Sequence, residues 1–139
     1  MHRETGYRSL RVWQRAMDLT LASYGVVARL PGVERYDLGS QIRRSAVSVP
    51  ANIAEGYARD KPGEFLHHLA IAAGSLAELQ TLLTLAGRLG YGTPEQLACP
   101  LDLALETERM LHGLRRTVRA KRNRSERAHV PHSHPERSP

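Results

Sequence analysis

Little in this chain can be cross-linked or stacked. Of its 139 residues one is cysteine, one tryptophan and one phenylalanine, and aromatics make up 5%. The lone Cys99 excludes an internal disulfide and fits a reducing compartment. With so few aromatics, Leu, Ala, Val and Ile must do the packing, and Leu and Ala favour helices over sheets. No apolar run is expected to reach the roughly 20 residues of a membrane span, because charges interrupt the candidates. The opening residues MHRETGYRSLRVW lack the apolar core of a secretory signal. The expected address is the cytoplasm. What the chain does have is 41% hydrophobic residues, enough for one core in one domain.

Apolar residues recur at three- and four-residue steps in four segments, the period of a helix with one buried stripe. The first runs from about Leu10 to Leu30, with Leu10, Trp13, Met17, Leu21, Tyr24 and Val27 as its stripe, and Pro31 ends it. The third spans about Lys61 to Leu89, with Asp60 as N-cap, Pro62 in the first turn and Gly90 as C-cap. Its stripe is Phe65, Leu69, Ala72, Leu76, Leu79, Leu83 and Ala86, and Gly74 in mid-helix suggests close approach of a neighbour. The fourth opens on the capping box Thr93-Pro94-Glu95-Gln96 and continues through Leu97, Leu101, Ala104, Leu111, Leu114 and Val118 to about Ala120. A bend is expected near Pro100. Short connections favour antiparallel neighbours. The expected fold is all-α, an antiparallel up-down four-helix bundle.

The second segment, about Tyr36 to Ala58, holds a proline in the stretch SAVSVPANIAEGY. Leu38, Ile42, Ala46, Val49, Ile53 and Tyr57 step by four or three residues on both sides of Pro50. A loop would leave that phase to chance, so Pro50 is expected to kink one helix rather than separate two. The cost is about 3 kcal/mol, including the hydrogen bond that the Ala46 carbonyl loses. Ser45 or Ser48 is expected to satisfy freed backbone groups.

A polar line shares this helix: Gln41, Arg44, Ser48, Asn52, Glu55 and Arg59. The small residues Val47, Ala51, Ala54 and Ala58 form a third face, so the helix should be largely buried. Buried polar groups need partners, so Arg44, Asn52 and Glu55 are expected to pair with each other or with a neighbouring chain. The plain alternative is a solvated face.

Charge divides unevenly. Residues 1–118 carry 14 Lys/Arg against 12 Asp/Glu, and residues 119–139 carry 6 against 2. The expected domains are therefore a near-neutral bundle over 1–118 and a disordered basic tail over 119–139. Arg43, Arg119, Lys121, Arg122 and Arg124 are the candidate phosphate contacts.

Catalytic constellations are missing from the pattern. The pieces GRLGYG and GYARDKPG match no phosphate-binding loop. His67 and His68 are adjacent and point about 100° apart on a helix. His132-Ser133-His134 lies in the tail, and Glu106 and Glu108 lack the histidine partners of a di-iron bundle. Arg124 with His129, and Arg127 with His132, have spacings that some helical ribonucleases use, but both lie in the tail. Cys99 reads as a small buried hydrophobe. No catalytic residue, cofactor or metal site is expected.

The runs LGSQIRRSAVSVPANIAEGYAR (38–59) and EFLHHLAIAAGSLAELQTLLTLAGRLGY (64–91) resemble the family named for the 23S rRNA intervening-sequence protein. LRVWQRAMDL (10–19) is similar to its first helix and ERMLHGLRRTV (108–118) to its last. The resemblance implies a four-helix bundle with a kinked second helix, assembled as a ring, commonly a pentamer. A more distant branch, the accessory variability determinant of diversity-generating retroelements, implies binding to a reverse transcriptase and its template RNA. The expected function is a non-enzymatic oligomeric scaffold that binds structured RNA. The alternative is a protein-interaction module without a nucleic-acid role, in which Gln41, Arg44, Ser48, Asn52 and Glu55 serve the subunit contact.

Overall fold

The computed structural model describes residues 6–129. Their regular structure is helical: a 3-10 turn Gly6–Ser9, then α1 (Arg11–Ala28), a five-residue α2 (Gly32–Tyr36), α3 (Leu38–Ala58), α4 (Pro62–Arg88) and α5 (Pro94–Ala128). The four long helices form a ring of contacts, α1 with α3, α3 with α4, α4 with α5, and α5 with α1. Neighbouring helices meet in opposite numerical order. Thr20 meets Ala46 and Val27 lies over Gly39, Ser48 meets Ser75 and Gly56 meets His68, and Gln80 meets Glu108 while Gly87 meets Leu97.

The helix boundaries follow local chemistry. Arg35 donates to the carbonyls of Ala28 (3.0 Å) and Leu30 (3.2 Å), closing the end of α1 that Pro31 would leave bare. At the end of α4, Gly90 has φ 79°, the Tyr91 N–H bonds the Ala86 carbonyl and the Gly90 N–H bonds Gly87. Those two bonds are a Schellman C-cap. The capping box at Thr93 forms in both directions, Gln96 N–H to Thr93 Oγ1 and Thr93 N–H to Gln96 Oε1. Asp60 does not cap α4 as expected. It adopts φ 57° in the turn, and Lys61 takes the N-cap position without a side-chain bond.

α3 runs unbroken through Pro50, which is itself buried. The carbonyl of Ala46, deprived of the N–H four residues on, lies 3.1 Å from the Thr20 hydroxyl of α1. That single proton is shared with the Ala16 carbonyl at 2.8 Å. The serines expected there act elsewhere: Ser45 donates to Gln41 and Ile42, and Ser48 meets Ser75. A neighbouring helix, rather than the helix's own side chains, compensates for the proline. α5 likewise continues through Pro100 as one helix.

Most of the expected stripes of α3, α4 and α5 form the core: Leu38, Ile42, Ala46, Val49, Ile53, Leu69, Ala72, Leu76, Leu79, Leu83, Ala86, Leu97, Ala104, Leu111 and Val118 are buried, Phe65, Leu101 and Leu114 are partly buried, and Tyr57 is exposed. The α1 stripe holds only in part: Val27 is buried, and Leu10 and Trp13 pack against the core. Val12, Ala16, Leu19, Ser23 and Val26 face inward, whereas Met17, Leu21 (70% exposed) and Tyr24 face out. This helix carries two apolar lines, and the alanine- and serine-bearing one fits the tighter approach to α3 and α5. The small face of α3 is also less covered than expected, with Val47, Ala51 and Ala58 exposed.

Further expectations are corrected. Order does not end at Val118, because α5 continues to Ala128. Residues 119–128, RAKRNRSERA, are rich in helix formers with no breaker, and Arg122 and Glu126 face each other at i, i+4. The rest of the expected tail, 130–139 with His132 and His134, lies outside the described residues. α4 does meet the length and composition of a membrane span, since Glu78 is the one charge between Phe65 and Gly87. Its inward stripe is spent on packing in the bundle. Gly74 has open space around it, whereas a Cβ at Gly56 would sit 2.6 Å from His68 Cβ. The close approach of α3 and α4 therefore falls at Gly56. Cys99 is exposed, in a hollow that it lines with Pro100, Ala22, Gly25 and Arg29.

Replacing Thr20 by Val strands the Ala46 carbonyl, with an expected cost of about 1 kcal/mol in urea unfolding. In a Pro50→Ala background the backbone bond is restored and that cost should shrink, giving a measurable coupling between the two positions. Equal costs in both backgrounds would refute the compensation.

Candidate functional site

Part of the polar line on α3 closes onto α4. The Asn52 side-chain amide donates to the Ser48 carbonyl (2.9 Å) and the Ser48 hydroxyl (3.0 Å), and Ser48 Oγ lies 2.7 Å from Ser75 Oγ. On the other side, Asn52 Oδ1 lies 3.1 Å from His68 Nδ1, so the tautomer protonated at Nδ1 donates. The His68 side chain is only 15% exposed. Glu55 Oε2 stands 4.0 Å from the same nitrogen, too far for a hydrogen bond, and Glu55 accepts from Arg59 at 3.1 Å. A chain of polar groups thus runs from Ser75 through Ser48 and Asn52 to His68.

The line is split by its surroundings. Ser48 and Asn52 are half-buried and paired, while Gln41, Arg44 and Glu55 are exposed. Among the described residues neither Gln41 nor Arg44 has a side-chain partner. Sequence reasoning missed His68 and Ser75, the two partners from α4. They stand seven residues apart, two helical turns, and so share one face of α4. That spacing was readable, but which face of α3 it would meet was not.

The second feature is electrostatic. Arg119, Lys121, Arg122 and Arg124 all lie on the last turns of α5, at the end of the bundle where α3 turns into α4. Residues 6–11, 55–65 and 112–129 meet at that end and carry 11 Lys/Arg against 4 Asp/Glu. The remaining described residues carry 7 against 8. A chain with a modest net charge is therefore strongly polarised, and the basic end includes Arg8, Arg11, Arg59, Lys61, Arg115 and Arg116 as well as the expected residues. Arg115 and Arg122, both half-buried, have covered Nε atoms without a hydrogen-bond partner among the described residues.

Arg43 does not join this group. It lies near the other end, where its Nη2 donates to the Arg35 carbonyl at 3.2 Å and it lines a hollow with Tyr24 and Arg35. Of the five candidate phosphate contacts, four come together and Arg43 is separate. Arg15 is also engaged, donating to Glu106 (2.9 Å) and Asp18 (3.1 Å), which raises its pKa above the ordinary guanidinium value. This pair ties α1 to α5.

Among the described residues no three His, Cys, Asp or Glu side chains gather in metal-binding geometry. His112 lies 3.9 Å from Glu108 on the same helix, beyond hydrogen-bond reach.

The fold and these features define a class: an all-helical bundle with a polar seam between two helices and a cationic end. The model of the 23S rRNA-intervening sequence protein family matches residues 8–113, and the chain belongs to that family. A crystal structure of a protein with unknown function from the S23 ribosomal protein family of Bacteroides thetaiotaomicron has the same fold. Its TM-score is 0.70 at 24% identity, covering 76% of this chain and 95% of that one. No curated protein matches the chain.

If Asn52 and His68 act as one unit, Asn52→Ala and His68→Ala should each cost about 1–2 kcal/mol of stability. The double variant should cost less than their sum by about 0.5 kcal/mol or more. Additive costs in chemical denaturation would show that the two side chains are independent.

Proposed function

We propose that the chain is a non-enzymatic oligomeric scaffold that binds structured RNA through its basic end. In this reading it is an up-down antiparallel bundle whose second long helix bends at Pro50, working in the cytoplasm. The observation that carries it is the charge segregation: 11 Lys/Arg against 4 Asp/Glu at one end, over a nearly neutral remainder. Nucleic-acid affinity comes largely from neutralised phosphates, and clustering lets several cations act on one backbone. Nine of the eleven cations are arginines, whose planar forks bond phosphate in pairs. The family's name points the same way.

Oligomerisation is supported by what the single chain leaves outside. Met17, Leu21 and Tyr24 are exposed on α1, Val47 on α3, and Ile71 and Leu85 on the outer face of α4. Exposed apolar surface of this kind marks partner contacts. A homopentamer, as the resemblance implies, would also bring five basic ends together. A reverse transcriptase as protein partner is a further proposal drawn from the resemblance alone, and co-purification after co-expression tests it. The second reading, an interaction module with no nucleic-acid role, is favoured by the same apolar surfaces, with exposed Gln41 and Arg44 beside them.

In gel-shift titrations the wild type should bind folded RNA at low salt and lose affinity steeply as salt rises. Arg119→Gln, Arg122→Gln and Arg124→Gln together should reduce the salt slope by about 2, whereas Arg43→Gln should leave it unchanged. Absence of any shift by the wild type at about 50 mM salt would end the RNA reading.

For the assembly, light scattering should give a mass several times that of one chain, and Leu21→Glu should reduce it to a single chain. A monomeric wild type would refute the oligomer.

A further inference from the structure

Within the basic end lies a cavity of ≈ 280 Å³, lined by Gly56, Tyr57, Asp60, Lys61, Pro62, Phe65, Thr117, Val118 and Lys121. The sequence gives no hint of it, because its walls come from three places: the end of α3, the start of α4 and a late turn of α5. Its two kinds of wall differ in chemistry. Tyr57 and Phe65 meet edge to face with ring centroids 5.8 Å apart, and the buried Val118 shares the lining with them. Lys61 and Lys121, the only lysines in a chain with 18 arginines, also line the cavity.

We infer that this cavity seats one nucleotide of the bound RNA, a proposal that rests on the RNA reading above. The base would lie against the Tyr57–Phe65 wall and the phosphate between the two lysine ammonium groups. Several points converge on that occupant. The volume is near the lower bound of about 300 Å³ for small-ligand sites, the scale of one nucleotide rather than a helix. Base–aromatic stacking tolerates any base, because every base presents a π-face. Lysine ammoniums are compact point charges on flexible stems, suited to following one phosphate. Asp60, also on the rim, carries the opposite charge, and its carboxylate can accept from ribose hydroxyls or an exocyclic amine. Thr117 spends its hydroxyl proton on the Gly113 carbonyl and is left as an acceptor on the rim.

The surroundings separate this cavity from the others. The hollow beside Tyr24 holds Arg35 and Arg43, but Arg35 is committed to the carbonyls of Ala28 and Leu30, and Arg43 to that of Arg35. Arg59, Arg122 and Arg124 stand within three residues of the lining residues Asp60 and Lys121 along the chain, so a polynucleotide held by those charges would pass the mouth of the cavity.

Adenosine 5′-monophosphate tests the seat on the full chain. In NMR titrations to about 10 mM, it should shift the resonances of Tyr57, Phe65 and Val118. Adenosine and inorganic phosphate should each bind at least tenfold more weakly. Lys61→Ala with Lys121→Ala should weaken binding at least tenfold, and Thr117→Trp, at an exposed rim position, should abolish it while the protein stays folded by circular dichroism. A single-stranded oligonucleotide should shift the same three residues and compete with the mononucleotide. Failure of the mononucleotide to bind, or equal binding of phosphate alone, overturns the seat even if RNA gel shifts persist. Mononucleotide binding without any RNA shift would leave the seat standing and remove the RNA reading on which its occupant was chosen. Shifts by RNA at the α5 arginines without change at Tyr57 and Phe65 would also overturn it.

Discussion

A proline in the middle of a buried helix is tolerable only if the carbonyl it orphans finds another donor. In α3 that carbonyl belongs to Ala46, and Thr20 of α1 supplies the hydroxyl. The arrangement couples two helices at the point where one of them is weakest. It keeps α3 continuous, so that Val49 and Ile53 stay in phase with Leu38 and Ile42 in the core. Continuity in turn sets Ser48 and Asn52 on one line toward α4, where Ser75 and His68 meet them. It also places the end of α3, with Gly56 and Tyr57, beside the last turns of α5. Both the polar seam and the cavity at the basic end depend on a helix that does not stop at Pro50.

Close approach and charge are then distributed by the bundle itself. Gly56 lets α4 come so near that a methyl group would collide with His68. The half-buried hydrogen bonds of Asn52 lie one turn away, where the two helices are already held together. Buried amide and imidazole groups gain from such pairing chiefly because leaving them unpaired is costly. Glu55 and Arg59, half exposed on the same helix, contribute little by comparison. The seam is thus a device for fixing one register of α3 on α4, with its polar groups satisfied from both sides.

The last helix changes the meaning of the basic segment. Charges on a rod have fixed spacing relative to one another and to the bundle, so Arg119, Lys121, Arg122 and Arg124 face outward as part of a surface that includes Arg59, Lys61, Arg115 and Arg116. Fixed charges lose less freedom on binding a phosphate backbone than charges on a flexible segment. Family membership is consistent with this architecture, and the solved relative from Bacteroides thetaiotaomicron shares the fold over most of its own length.

The sequence by itself determined the elements. Periodic Leu, Ala, Val and Ile named the inward faces of α3, α4 and α5, and Gly90 and Thr93 marked the ends, because these depend on neighbours within one or two turns. It could not choose between the two apolar lines of α1. Nor could it place Gly74 outside and Gly56 inside, or find Thr20, Ser75 and His68 as partners of α3. Those facts depend on which helix lies alongside which, and at what height. Arg43 and Arg124 look equivalent in the sequence, yet the order in which the helices meet sends them to different ends. Net charge is additive along a chain, whereas a binding surface depends on distances in space, and the fold alone sets those distances.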